Sequence, residues 1–367
     1  MQLLVLNQNF SVIEVLDVYE SLIWTDRYYA YGDFELYTLA NVHILETLMI
    51  DYYIWSDQSE HVMIIEDREI ETDHENGTHL KVTGRSLESI LERRIVWKQT
   101  VLNGDIQGQI KRLLNNAIIN PEDSQRQIPN FIFKESTDPA FNDINVYNQF
   151  TGDNLYDVIS GICATYGFGY KITLNSSNQF VFELYSGTDR SYSQEKNPFI
   201  VFSPNFENIL NSNYIQSKSV WKNVALVAGE GEGIYRKHVT VGNVLFNQGL
   251  KRRELFVDAR DLQSTYSYTD EQGELVEEEI PYSEYVSQLK ERGEKYLSEN
   301  KEIETFDATV DPNAMYKYGE DYFIGDVCQV ENEYDMRARV RVTEFIYSES
   351  TSGIEMYPTF EAIEEEG

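Results

Sequence analysis

The sequence predicts a β-rich α+β protein, and three observations lead there. Aromatic side chains are abundant, with 26 Tyr and 18 Phe, and β-branched residues are frequent; both suit a pleated, half-buried surface. Short runs of period-2 alternation, separated by polar breaks, fill residues 1–84, 213–250 and 302–362. Helical spacing is confined to a few windows between them. At 367 residues the chain exceeds one ordinary core and fits two to four domains.

Residues 1–84 read as six or seven short strands without helices, from LLVLN through FSVIEVLDV, SLIWTDRYY and FELYTL to HVMIIEDREIET and THLKVTG, which implies a barrel or sandwich. Asn76-Gly77 marks a tight turn between the last two. Ser86 opens a helical window in which Leu87, Ile90, Leu91 and Ile95 recur on one face. GDIQGQIKRLLNNAII places Ile106, Ile110, Leu113, Leu114, Ala117 and Ile118 together. TGDNLYDVISGICATYGFG does the same with Leu155, Val158, Ile159, Ile162 and Cys163, and Gly167 stands as its C-terminal stop. The run YKITLNSSNQFVFELY is a hairpin about its Asn-Ser-Ser-Asn turn. Residues 96–204 are therefore expected to form a small α+β insert.

Strands resume at NYIQSKSVWKNVALVAGEGEG and YRKHVTVG. The acidic stretch from Thr269 to Ile280 is expected to be a solvated, mobile loop. A helix follows, with Tyr282, Tyr285, Val286, Leu289, Tyr296 and Leu297 on its apolar side. Near the end, GDVCQVENEYDMRARVRVTEFIYS alternates on both sides of a polar turn. It predicts a hairpin with Val340 and Val342 inward and Arg337, Arg339 and Arg341 outward.

Lys and Arg total 30 against 62 Asp and Glu, a formal charge of −32. Such a surface repels nucleic-acid phosphates and anionic lipid, which argues against a groove-reading DNA protein. No apolar run approaches the roughly 18 residues needed to span a bilayer, and the N-terminus lacks a basic region followed by a cleavage site. Cys163 and Cys328 have no CxxC spacing and are expected to be buried thiols of a reducing compartment.

No motif carries chemistry. Gly229 to Gly233 alternates with glutamates, which would face an anion with negative charge, and reads as a turn between strands. His61, His74 and His79 lie near the Asn76-Gly77 turn with Asp73 and Glu75, but match no zinc spacing. Carboxylates are too numerous for any pair to be singled out as catalytic, and the acidic loop lacks a calcium pattern. Lys251-Arg252-Arg253, the one basic cluster, reads as an ion-pair patch. No catalytic residue, metal site or cofactor is expected, and a long β-rich chain without a catalytic constellation points to assembly or binding.

Several segments resemble a known family. The stretch WTDRYYAYGDFELYT, followed by VMIIEDREIETDHENGTHLKVTGRSLESILERRIVW, is similar to the N-terminal barrel of the tail-tip baseplate hub proteins of siphophages, the family that also forms the hub region of tail-associated lysins and is akin to the myophage central-spike hub. Gly32 to Leu36, Gly84, and Leu87, Leu91, Arg94 and Ile95 carry most of the likeness. YDVISGICATYGFGY, KNVALVAGEGEG, YFIGDVCQV and RARVRVTEFIYSES resemble later hub segments, so nearly the whole chain is covered.

The resemblance implies a homotrimer in which each chain supplies two tube-like β-barrels, so that three chains present six barrels to the sixfold tail tube. The first barrel would be 1–95 completed by 205–255, the insert 96–204, a helical spacer 256–299 and the second barrel 300–367. Implied partners are the distal tail protein ring, the tape measure protein and tail fibre or receptor-binding tip proteins, at the tail tip of a virion assembled in the host cytoplasm. Genomic DNA would pass through the ring without sequence-specific binding; three chains carry a formal charge of 3 × (−32) = −96, some of which should face the lumen. Any lytic domain of the family would lie C-terminal to this chain. Arg337, Arg339 and Arg341 are candidates for a subunit interface; the alternative is pairing within the chain to Glu331 and Glu333. Two other readings stand beside the hub: a carbohydrate- or receptor-binding tail protein using its tyrosines, and a tail-associated hydrolase.

Overall fold

The computed structural model describes residues 1–75, 77–269, 274–310, 315–332, 334 and 337–363. Asn76, Glu333 and the centre of the acidic loop, on which three expectations fall, lie outside the described residues.

Among the described residues, most of the alternating runs pair into one sheet of thirteen strands. Its path begins at Val12–Leu16 and passes through Leu3–Leu6, Tyr53–Ser56, Val62–Asp73, Gly77–Ser86 and Asp33–Leu39 to Ser21–Arg27. There it crosses to the far end of the chain, through Arg337–Ser350, Gly353–Ala362 and Ile303–Val310 to Ile209–Ser217. The crossing is antiparallel, Ser21 to Arg27 against Ser350 to Glu344. Period 2 is kept where one face is buried: Phe34, Leu36 and Thr38 point inward from one strand, Leu80, Val82 and Gly84 from its neighbour. Both strand sets share one core, in which Leu22, Trp24 and Phe34 meet Phe202, Tyr322, Val342, Phe345 and Phe360.

The insert packs against the N-terminal strands, since Leu6, Val62 and Ile64 belong to its core. Every residue expected on the inner faces of its two helices is buried. The first helix, Ile106–Leu114, continues as a π-helical turn Asn115–Ile119, and the second, Leu155–Tyr166, stops at Gly167 with φ +73°. The hairpin Gly169–Leu174 with Phe180–Tyr185 gains a parallel third strand, Phe131–Lys134. Upstream, the window after Ser86 forms a 3-10 helix, Leu87–Arg93, rather than an α-helix, with Leu87, Ile90 and Leu91 buried.

Strand pairing departs from expectation between 201 and 258. Val201–Phe202 and Ile209–Ser217 join the C-terminal strands. Val224–Ala228, His238–Val241 and Glu254–Asp258 form a separate three-stranded sheet. One face of it is covered by the helix Tyr282–Glu299, through Ala225, Val227, Val241 and Val257 against Tyr285 and Leu289. These strands therefore do not complete the N-terminal set. Alternation assigns faces but not partners, and a covering helix satisfies the apolar face as well as a barrel would.

Three smaller differences have local causes. The run read as all strand contains a short helix, Val42–Thr47, capped by Asn41, whose side chain accepts from Ile44 N. The acidic loop is flanked by a paired hairpin, Thr265–Thr269 with Leu275–Glu279, held partly by Tyr266 and Tyr268 donating to Glu278. Finally, Tyr282 of the long helix is exposed, while Gln288 and Glu291 are buried.

Candidate functional site

The C-terminal hairpin forms as expected, Val327–Glu331 antiparallel to Arg337–Arg341, with Val340 and Val342 buried. Its arginine face is covered rather than free. Val201–Phe202 pairs with Val327–Glu331 from the other side, and the chain from 186 to 203 folds over the polar face, so all five residues of the inner strand are buried. Arg339 Nη2 lies 3.0 Å from Asp189 Oδ2 and its Nε donates to Ser191 Oγ. Arg341 donates to Gly325 O and to the Tyr28 hydroxyl, with its guanidinium 5.2 Å from the centre of that ring. Arg337 pairs with Glu331 at 3.0 Å but keeps a side chain 61% exposed. The expected stack of three outward arginines thus becomes two clamps within the chain and one residue with a free flank.

Asp189 is tuned for this. Burial works against its charge, but hydrogen bonds from Ser191 and Ser193 together with Arg339 hold its carboxyl below the usual range. Beside it Arg190 Nε donates to Asp326 Oδ2 at 2.7 Å, and Asp326 also accepts from Thr188 N. The close approach needs glycine: a Cβ on Gly187 would lie 1.8 Å from Gly325 O.

A second group of charges is fully interior, and sequence reading missed it. His61 Nδ1 and Glu88 Oε1 are 3.0 Å apart, and Glu88 also accepts from Ile172 N. Asp26 accepts from Trp24 Nε1 and Ser59 Oγ, and from Tyr318 OH at 3.3 Å. Burial alone would depress His61, but Glu88 and Asp26 outweigh it and push the imidazole up to about 9. Burial likewise opposes the Glu88 charge, yet His61 holds that carboxyl low; Asp26, dominated by burial, is pushed up. The cluster joins Ser21–Arg27, the 3-10 helix and the insert, and sits at the base of a cleft of ≈ 550 Å³ lined by Asp57, Glu60, Lys171, Tyr185, Thr188 and Phe323, among others. A charged imidazole is a poor base, and the Asp26 oxygens are already occupied, so the arrangement locks elements together rather than presenting a reactive group. The signal in the sequence is faint: spacing groups His61 with His74 and His79, whereas in the structure His79 pairs with Glu20 and stacks on Tyr37. Cys163 and Cys328 are both buried free thiols, which burial pushes up.

Residues 2–360 match the family described as Siphovirus ReqiPepy6 Gp37-like protein. The chain belongs to that family. The Gp37-like chain also shares its fold, over nearly its whole length, with solved tail proteins. It is similar to the prophage MuSo2 43 kDa tail protein from Shewanella oneidensis, with a TM-score of 0.60 at 10% identity over 98% of each chain. The tail protein from Neisseria meningitidis MC58 gives 0.59 at 12% identity, over 100% of this chain and 97% of that one. Prophage tail protein gp18 from Listeria monocytogenes EGD-e gives 0.57 at 11% identity, over 98% and 94%. No curated protein sequence matches. The resemblance read from the sequence therefore holds for the siphovirus family, and the fold is the one seen in these solved tail proteins.

Proposed function

We propose that this Gp37-like protein is a tail-tip hub, three copies of which close into a ring that joins a sixfold tail tube to a threefold tip. The observation that carries this reading is the fusion of two strand sets in one chain through the pairing of Ser21–Arg27 with Glu344–Ser350. If each set curls into a tube-like barrel, three chains supply six barrels around a channel.

The sheet edges support closure. Among the described residues the sheet path ends in two different strands, Val12–Leu16 and Ile209–Ser217. Two unlike edges favour a head-to-tail contact, which gives a ring when it closes and a filament when it does not. The ring would sit against the distal tail protein ring and the tape measure protein on one side and fibre or receptor-binding proteins on the other. Its acidic wall would let a DNA duplex slide past without gripping phosphates. Arg337, with its exposed flank, is the arginine of the hairpin that can meet a neighbouring subunit. Sedimentation of the purified protein tests the stoichiometry: the expected mass is three times the 42.7 kDa of one chain. A dimer, or an open-ended series of masses, would contradict it.

A further inference from the structure

The basic cluster Lys251-Arg252-Arg253 acquires a setting that the sequence did not show. Asn223 ties it to the entry of the small sheet, donating from Nδ2 to Lys251 O and accepting from Arg253 N. Arg253 also donates to Lys218 O. Trp221 lies between the two chains of cations, with Lys218 Nζ 4.9 Å and the Arg253 guanidinium 5.3 Å from its ring. Lys218 and Arg253 thus flank one tryptophan, with Lys222, Lys251 and Arg252 next to these residues in sequence, in a chain of charge −32. Glu302 and Glu254 answer Lys218 and Arg252. Among the described residues, Lys222, Lys251 and Arg253 have no carboxylate within ion-pair distance.

Above this collar the loop between His238–Val241 and Glu254–Asp258 projects apolar side chains into solvent. Leu245 and Phe246 are each 77% exposed and Leu250 is wholly so, while backbone and side-chain bonds within the loop, such as Lys251 N to Gln248 O and Gln248 Nε2 to Leu245 O, fix its shape. Ordered apolar groups held in water mark a contact surface. The surface is continuous with the sheet edge, since Lys218 directly follows Ile209–Ser217. The opposite edge has the complementary character. Val12, Ile13, Val15 and Val18 are exposed there, beside the exposed Asp17 and beside Glu14 and Glu20, which face His43 and His79 of the same chain.

We infer that the Lys218–Lys222 and Leu245–Arg253 surface takes the Val12–Glu20 edge of a second copy of this chain, apolar tip on apolar edge and cations on carboxylates. The inference rests on the ring reading and names the surfaces that close it. The apolar contact supplies affinity, while the opposed charges set which edge meets which.

The test is sedimentation of the full chain and of three variants changed at exposed positions, Leu250→Asp, Lys251→Glu and Asp17→Lys. Each single variant is expected to weaken self-association by about tenfold or more, and the combination of Lys251→Glu with Asp17→Lys is expected to recover part of the loss. Rings that persist unchanged in all three variants overturn this contact and leave the ring reading standing. A wild-type chain that never associates removes the ring reading and the contact with it. Flotation with phosphatidylcholine–phosphatidylglycerol vesicles is the second measurement: binding by the wild type that Leu250→Asp abolishes would assign the tip to anionic lipid and overturn a protein occupant.

Discussion

His61 shows how much a single residue can carry in this interior. Its imidazole, held at about 9 by Glu88 and Asp26, gains a charge partner that the unfolded chain lacks. Because the folded value lies above the unfolded value of about 6.5, its contribution is complete below about 6.5 and is lost as pH rises through 9. Glu88 has the opposite sense: its depressed carboxyl stabilises the fold above its ordinary value and stops doing so as the pH falls. His61→Gln leaves Glu88 buried without its cation, and the expected cost is about 3–5 kcal/mol near neutral pH, measured by urea denaturation. A variant within experimental error of wild type at pH 6 would contradict the assignment. None of this was legible beforehand, because Asp26, His61 and Glu88 come from segments whose contact depends on strand order.

Among the elements, the long helix Tyr282–Glu299 was legible in existence, in length and in the burial of Tyr285 and Leu289, but not in the full extent of its buried face. Its tyrosines suggested the buried side, yet the buried positions include Gln288 and Glu291, because the insert strand Asn145–Phe150 offers them partners. Gln149 Nε2 donates to Gln288 Oε1 at 3.0 Å, and Tyr147 N donates to Glu291. Periodicity in apolar residues cannot report a face whose contacts are hydrogen bonds. Burial pushes Glu291 up to about 8. A carboxyl raised on folding favours the fold below its unfolded value and loses that advantage as pH rises from about 4 to 8. Glu291→Gln, which keeps an acceptor for Tyr147 N, is therefore expected to be more stable than wild type at pH 9 and similar at pH 5, by urea midpoint. A variant equally shifted at both values would refute the cause.

The insert helices, by contrast, were legible residue by residue, since their inner faces are purely aliphatic apart from Cys163. Gly84 belongs to the same scale. It carried part of the family likeness, and a Cβ there would lie 1.8 Å from Ile64 O and 3.0 Å from the Phe34 ring. Gly84→Ala forces apart two paired strands, with an expected cost of about 1–3 kcal/mol; an unchanged thermal midpoint would show that the strands can separate freely.

At the scale of the molecule, the alternating runs revealed a β-rich chain with an α+β insert, and the likeness to tail proteins supplied the family. What alternation left open was the partner of each strand. Ser21–Arg27 is joined to Glu344–Ser350 across more than 300 residues, and the N-terminal ammonium reaches Glu349 at 2.5 Å. Pairings so distant in sequence are set by the shared core and the edges left over, neither of which a local window sees. The same pairing joins the two strand sets in one sheet with unlike edges, and the proposed ring is built on that arrangement.

Electron microscopy of the purified protein tests this most directly. Closed rings with threefold symmetry are expected, with six similar lobes around a central channel and the small sheet with its basic loop at the boundary between subunits. Rings of another symmetry, filaments, or particles with no channel would contradict it.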